Sequence, residues 1–509
     1  MTYTKVHLWD IFEHNFKATT SGNPFVDTTL EVVFEHKEKR VKVNGFYDGD
    51  DSYKVRFMPD LEGQWQYTTT SNIEGLHGLI GTFECIEPCQ KVHGMVKVHD
   101  QYHFAYADGT AYVPFGTTCY AWIHQEECLQ EQTLETLKAS CFNKLRMCVF
   151  PKYYANNSVE PERYPFEGIA PSKWDYTRFN PEFFKHLERC IHELMELGIE
   201  VDLILFHPYD KGHWGFDRMD RASDERYLRY IIARLGAFRN IWWSLANEYD
   251  YMEMKTKEDW ENHIALVANE DPYHHLVSIH QGDVLYDHWN PHLTHASIQL
   301  GTRKGIVKNG MGRLKLLRDA YHKPVIYDEV GYEGNLVQRW GQLTGQELVD
   351  KFWQAIVSGT YTSHGETFTH PEEIIWWAKG GTLRGKSPKR IAFLKQIIEE
   401  SGLDYLEPVD KNWAIDTVGK NGEFYLIYFS YEKPSQWQFA LPTFKTGVEI
   451  PIGAKFQVDV IDTWNMTITP VEELYEVTDL ERYACTCNFN PIVELPEKPF
   501  MALRIKHVE

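Results

Sequence analysis

Two carboxylates stand where short apolar runs end. Glu248 closes Trp243-Ser244-Leu245-Ala246-Asn247-Glu248, and Glu329 lies in Tyr327-Asp328-Glu329-Val330-Gly331. A carboxyl pair can cleave a glycosidic bond. One carboxylic acid protonates the leaving oxygen, and the other carboxylate attacks the anomeric carbon or activates a water. A separation of ~5–5.5 Å gives retention and ~6.5–9.5 Å gives inversion. Asp328 rivals Glu329, but neighbours on a strand point to opposite sides, so only one of them faces a given mouth. Glu333 and Glu366 are further rivals. Other polar residues stand in or just after comparable runs: Arg146 and Lys152, His207, His280 with Gln281, Gln299, and His364-Gly365-Glu366.

These residues need a scaffold that brings run ends together. Eight strand candidates alternate with helices: Ala111–Thr117, Lys144–Phe150, Glu200–Phe206, Ile241–Ser244, Leu276–His280, Thr294–Gln299, Pro324–Asp328 and Gly359–Ser363. That pattern predicts a parallel sheet with crossover helices. Eight such units over ~300 residues is the size of a TIM (β/α)8 barrel, whose chemistry sits at the C-terminal strand ends. An open doubly wound sheet is the competitor. It would carry a glycine-rich turn after its first strand if it bound a dinucleotide; here the chain reads Gly116-Thr117-Thr118-Cys119-Tyr120. A helix is expected at Pro181–Leu197, capped by Asn180 and stopped by Gly198. Another starts at the capping box Thr344-Gly345-Gln346-Glu347.

The barrel has β-rich flanks. Runs at Leu30–Glu35, Tyr53–Met58 and Gln64–Thr70 predict an N-terminal immunoglobulin-like sandwich over residues 1–90. Phe424–Phe429, Phe456–Ile461 and Phe500–Ile505, with a turn at Asn421-Gly422, predict a C-terminal β-sandwich over 405–509. The barrel is assigned to 91–404. Hence an α/β TIM barrel flanked by two β-sandwich domains is expected.

Composition narrows the partners. The formal net charge of −21 argues against nucleic acid and against anionic membranes. No 18-residue apolar run is present, so no membrane span is expected. The start MTYTKVHLWDIFEHNF lacks a basic stretch followed by an apolar one. The nine cysteines lack zinc-ribbon spacing, and all nine are expected as reduced thiols in a cytoplasmic protein. No cofactor and no metal are expected. Homo-oligomerisation is compatible with the sequence.

The placement of these residues resembles clan A of the glycoside hydrolases, in which Asn-Glu follows strand four and a Glu follows strand seven, as Asn247-Glu248 and Glu329 do here. Arg146, His207 and His280 sit where many members place an Arg and two His. The segment from Arg56 to Tyr67, Arg-Phe-Met-Pro-Asp-Leu-Glu-Gly-Gln-Trp-Gln-Tyr, resembles the sandwich preceding apiosidase-like barrels described as cellulases or xylanases. The resemblance covers nearly the whole chain. It implies Glu248 as acid/base and Glu329 as nucleophile, with Asn247 on the sugar 2-hydroxyl and Arg146 holding Glu329 ionised. It implies a retaining enzyme on β-linked sugars of plant-derived oligosaccharides; the expected cytoplasmic location, out of reach of polymers, points to exo action, with an endo-glucanase or xylanase as the alternative.

Tyr120, Trp122, Trp376, Trp377, Gln299 and Glu366 complete the expected sugar-binding set. The aromatics among them serve equally well as core packing. A metal hydrolase would need close-spaced histidines such as His-Glu-x-x-His, which are missing around His124, His207, His280 and His364. An aldolase or isomerase would need a Schiff-base lysine or a phosphate loop; Gly331-Tyr332-Glu333-Gly334 has an acid that would repel phosphate. A non-catalytic carbohydrate-binding protein would be expected to lack one of the two Glu.

Overall fold

The structure is a computed structural model that describes residues 4–37, 39–300, 314–409, 417–442, 450–480, 484–487 and 489–508. Near the N-terminus a five-stranded sheet runs in the order Thr4–His7, Ile80–Ile86, Gly63–Ser71, Leu30–His36, Lys39–Asn44. It packs on a three-stranded sheet of Phe12–Lys17, Ser52–Phe57 and Phe46–Tyr47. Alternate residues point inward, as a sheet with one wet face requires. The inward set includes Phe12, Phe34, Phe57, Trp65 and Phe83, and the Phe34 and Phe57 rings stack at 4.1 Å.

The eight barrel strands are β1 (Gly116–Thr118), β2 (Lys144–Cys148), β3 (Glu200–Phe206), β4 (Ile241–Ala246), β5 (Val277–Ser278), β6 (Ala296–Gln299), β7 (Val325–Glu329) and β8 (Tyr361–His364). They pair in parallel in the order β5-β4-β3-β2-β1-β8-β7-β6. Between β5 and β6 the ring is nearly closed by a parallel bridge, His280 to Ser297, and by Thr294 N–H donating to Val277 O at 2.9 Å. Strands covered on both faces read as continuous apolar runs, which is why β3 is buried throughout.

The first strand differs from expectation. Ala111–Tyr112 pairs with Phe104 and Ala105 in a small antiparallel sheet with Val96–His99. Pro114 has no N–H to donate and separates that piece from β1. The small sheet plugs the barrel floor, with the Phe104 ring 5.2 Å from Trp242 and 5.8 Å from Tyr361.

The expected helices form. Asn180 caps Pro181–Glu196 by accepting from Glu182 N–H at 3.1 Å, and Gly198 takes φ +70° beyond its end. Phe184, Leu187, Ile191 and Leu194 form its fully buried stripe. Thr344 and Glu347 make the capping box of Gly345–Val357.

The C-terminal region holds a sheet in the order Glu407–Pro408, Thr417–Lys420, Phe424–Tyr428, Met501–Val508, Lys455–Asp462, Thr467–Pro470. One face shares a core with Phe439, Cys485 and Val493 from smaller sheets. The other docks on the barrel, where Tyr428 OH donates to Asp350 Oδ1 at 2.9 Å. All nine cysteines are free thiols. Among the described residues, no helix is long and apolar enough to cross a membrane.

Below the mouth the barrel interior is ionic. Lys144 on β2 donates to Asp202 on β3 at 2.7 Å and to Asp328 on β7 at 2.8 Å, with all three side chains sealed from water. Removing one partner of such a cluster leaves an uncompensated buried charge, which costs about 3–5 kcal/mol. Lys144→Met is expected to lower folding stability by that amount, read as a reduced unfolding midpoint in denaturant; an unchanged midpoint would contradict the assignment.

Candidate active site

The C-terminal ends of β1, β2, β4, β6 and β7 converge on Glu248 and Glu329. Glu329 ends β7 with a side chain 14% exposed, whereas Asp328 points the other way, fully buried. Asp328 accepts from Lys144, from Ser297 at 2.6 Å and from Ser363 at 2.8 Å, and the Lys144 and Arg146 cations hold it well below the usual carboxylate range despite its burial. The strand alternation therefore gives Glu329 the mouth and Asp328 the interior.

Glu329 Oε1 accepts a hydrogen bond from Tyr120 OH. Arg146 Nη1 lies 3.6 Å from the same oxygen and His280 Nε2 lies 3.8 Å away. Arg146 is fixed from below by Asp202 at 3.2 Å. It also donates to Tyr120 OH at 3.2 Å and to Asn247 Oδ1 at 3.1 Å. The Tyr120 hydroxyl, Arg146 guanidinium and Asn247 amide thus form one rigid cluster around the Glu329 carboxylate.

Glu248 follows β4 in a left-handed conformation, φ 51° and ψ 55°. A non-glycine residue there costs about 1–3 kcal/mol, a strain that clusters at functional sites. Its side chain is buried, and burial, with the Glu329 charge second, pushes its pKa up to about 8. Gln299 at the end of β6 donates from Nε2 to Glu248 Oε1 at 3.0 Å, and its Oε1 lies 3.1 Å from His280 Nε2. That orientation suits an ionised Glu248. The reversed amide would accept from a protonated Glu248 and donate to a neutral His280, which then donates from Nδ1 to Ser297. Burial keeps His280 neutral by lowering its pKa far below the ordinary value. Two buried polar atoms, Glu248 Oε2 and Asn247 Nδ2, have no protein partner among the described residues, which suits groups meant for a ligand.

Trp377 belongs to the wall of this site, near Tyr120, Tyr154 and Trp340. Lys152, which the sequence reading left without a role, projects among the same rings.

Four expected ligand contacts are corrected. Trp122 is fully buried, and its Nε1 donates to Gln130 O at 3.2 Å on the following helix. Trp376 is buried in the barrel core with Nε1 donating to Thr117 Oγ1 at 2.9 Å. Neither ring offers a face to a sugar. Glu366, 1% exposed, accepts from Arg384 and Gly385 N–H, while Glu333 accepts from Lys386 and Ser387 N–H. Glu333 satisfies the start of helix Ser387–Glu399, where an anion is favoured, and Glu366 holds the loop just before it. His207 spends both ring nitrogens on backbone, Nε2 at 3.0 Å from Phe150 O and Nδ1 accepting from Tyr209 N–H at 3.1 Å. Burial, then the Lys152 charge, lower its pKa to about 4.

Cavities of about 610 and 500 Å3 lie in seams between the N-terminal sandwich and the barrel, and neither contains Glu248 or Glu329. Among the described residues no group of three or more His, Cys, Asp or Glu is arranged to hold a metal ion.

Comparison with known proteins agrees with this geometry. The apiosidase-like catalytic domain model matches residues 98–414, between two domains of unknown function, DUF5060 over 5–72 and DUF5605 over 413–506. A Bacteroides vulgatus ATCC 8482 protein of known crystal structure, provisionally assigned as a glycoside hydrolase, is 43% identical, with 99% of this chain and 100% of that chain covered at TM-score 0.94. A family 5 glycoside hydrolase from the same organism shares the fold at 14% identity and TM-score 0.55, covering 81% of this chain and 94% of its own. A further glycoside hydrolase aligns at 13% identity and TM-score 0.56, covering 81% and 97%. No curated protein matches. The chain belongs to the apiosidase-like catalytic-domain family, and it shares the fold of a family 5 glycoside hydrolase.

Proposed function

We propose that the protein is a retaining, exo-acting β-glycosidase of plant-derived oligosaccharides, with Glu329 as nucleophile and Glu248 as acid/base. The observation that carries this reading is the asymmetry of the pair. Glu248 is buried with its pKa pushed up to about 8, so it is protonated at neutral pH, while Glu329 is braced by Tyr120 and Arg146. Environments that drive two carboxyls apart assign acid and base roles.

In the first step a Glu329 oxygen attacks the anomeric carbon. The glycosidic bond breaks as Glu248 gives its proton to the leaving oxygen, and a glycosyl ester forms. Formation of the ester removes the Glu329 charge, one of the two main causes raising the Glu248 pKa. Glu248, now ionised, takes a proton from water as that water attacks the anomeric carbon. The ester bond breaks, and Glu329 leaves as carboxylate. Asn247 Nδ2 would donate to the 2-hydroxyl, a contact that strengthens in the transition state. The wall groups Tyr120, Asn247, Glu248 and Trp377 are all buried. Wall groups this buried favour one terminal sugar over a chain threaded through an open cleft.

The test is the anomeric configuration of the first-formed sugar, followed by proton NMR during hydrolysis of a panel of aryl glycosides and oligosaccharides. Retention with release of single sugars is expected. A first product of inverted configuration would overturn the mechanism, and release of internal fragments would overturn exo action.

A further inference from the structure

Lys152 is a buried cation that the hydrolytic mechanism leaves unused. It is 1% exposed and stands after β2 beside the catalytic pair. Its Nζ lies 3.6 Å from the Tyr120 ring centroid, 4.0 Å from that of Tyr209, 5.3 Å from Tyr154 and 5.7 Å from Trp377. Rings attract a cation through their faces but leave its N–H donors without lone-pair acceptors. Among the described residues no carboxylate lies within 4.0 Å of Nζ, and no oxygen accepts a hydrogen bond from it. Its neighbours on β2 are treated differently. Lys144 is clamped by Asp202 and Asp328, and Arg146 by Asp202 and Glu329. A buried charge without an anionic partner is expensive. Burial accordingly lowers the Lys152 pKa, with Glu329 and Glu248 opposing. An anion delivered by the ligand would complete the site, and in a water-excluded cage its attraction would be strong.

We propose that Lys152 reads the charge of the substrate, and that the sugar cleaved is a uronic acid whose carboxylate seats on Lys152 Nζ. This rests on the glycosidase reading above. It opposes the bias of the whole chain, since a net charge of −21 repels anions at long range. A buried cation near Glu248 and Glu329 is the local feature that would offset that repulsion for an acidic sugar. The rival role, a counter-charge that serves Glu248 and Glu329 alike, makes a different prediction. It would affect acidic and neutral substrates equally.

The experiment uses matched p-nitrophenyl hexuronides and hexosides, the glucuronide with the glucoside and the galacturonide with the galactoside. The wild type is expected to favour the uronide of its preferred pair in kcat/KM. Lys152→Met is expected to cut the uronide-to-hexoside ratio at least ~30-fold, the scale for losing one partner of a buried charge pair, and Lys152→Arg to keep part of it. A wild type that favours the hexoside, or an unchanged ratio in Lys152→Met, overturns the inference while hydrolysis itself leaves the glycosidase reading standing. If no pair is turned over, calorimetry with free glucuronate, galacturonate, glucose and galactose decides. Binding of a uronate that Lys152→Met loses supports the inference. No binding, or equal binding of the neutral sugar, overturns it.

Discussion

Glu329→Gln is expected to lower kcat/KM on the best aryl glycoside by a factor on the order of 10^5, the scale seen when a covalent nucleophile is removed and binding is left. The amide is nearly isosteric and can still accept from Tyr120 OH, so the cluster of Tyr120, Arg146 and Asn247 keeps its geometry. What disappears is the charge and the attacking oxygen. Arg146, 3.6 Å from that oxygen, would then face an uncharged group. In Glu329→Ala there is space for a small anion. Azide is expected to restore turnover there and to give a glycosyl azide of inverted configuration, because it attacks from the Glu329 side. Near wild-type kcat/KM in Glu329→Gln would contradict the assignment.

Glu248→Ala should produce a different signature. Loss of a general acid costs about 10^2–10^4-fold where the leaving group needs a proton, and far less where it is already acidic. The defect in the first step is therefore expected to shrink from alkyl to dinitrophenyl glycosides. Azide attacking the glycosyl ester from the vacated Glu248 side should give a glycosyl azide of retained configuration, opposite to that from Glu329→Ala. The pH profile carries the second signature. The wild type should lose kcat/KM as pH rises through about 8, where Glu248 gives up its proton, and Glu248→Gln should lose that limb. Stability is linked to the same proton. The folded pKa of about 8 lies above the ordinary 4.5, so between those values the native state binds more protons than the unfolded chain. The contribution of this group to stability therefore falls as pH rises across that window. Glu248→Gln should flatten that decline, and an unaltered alkaline limb would argue against Glu248 as the acid.

The barrel was legible because parallel strands covered on both faces run apolar, and β3 appears at its expected bounds. The first strand was misjudged because Ala111 to Thr117 reads as one β-rich run, although Pro114 interrupts it. The two catalytic candidates were visible because strand-end position is encoded locally. Tyr120, Arg146, Asn247, His280 and Gln299 followed from the same rule, and the structure brings all of them within hydrogen-bond chains of Glu248 or Glu329.

Side-chain direction was not legible. Trp122 follows a strand end and Trp376 has the residue type of a sugar platform, yet both face packed helices or barrel core. Glu366 was misread although a signal existed. Helix Ser387–Glu399 has no side-chain cap of its own at Lys386, so Glu333, distant in sequence, takes the N–H groups of Lys386 and Ser387, and Glu366 takes those of Arg384 and Gly385 just before them. Lys152 is visible after β2 but carries no role in the sequence, because a lysine there follows no motif. Its significance is the cage formed by Tyr120, Tyr154, Tyr209 and Trp377, which only the folded barrel assembles.

The central claim is that Glu329 bonds covalently to the sugar during turnover. Mass spectrometry of the enzyme inactivated by the 2-deoxy-2-fluoro, dinitrophenyl form of its best glycoside tests this directly. A single sugar adduct mapping to Glu329 is the predicted result. An adduct on Asp328, Glu333 or Glu366, or slow turnover of that reagent with no adduct at any stage, would contradict it.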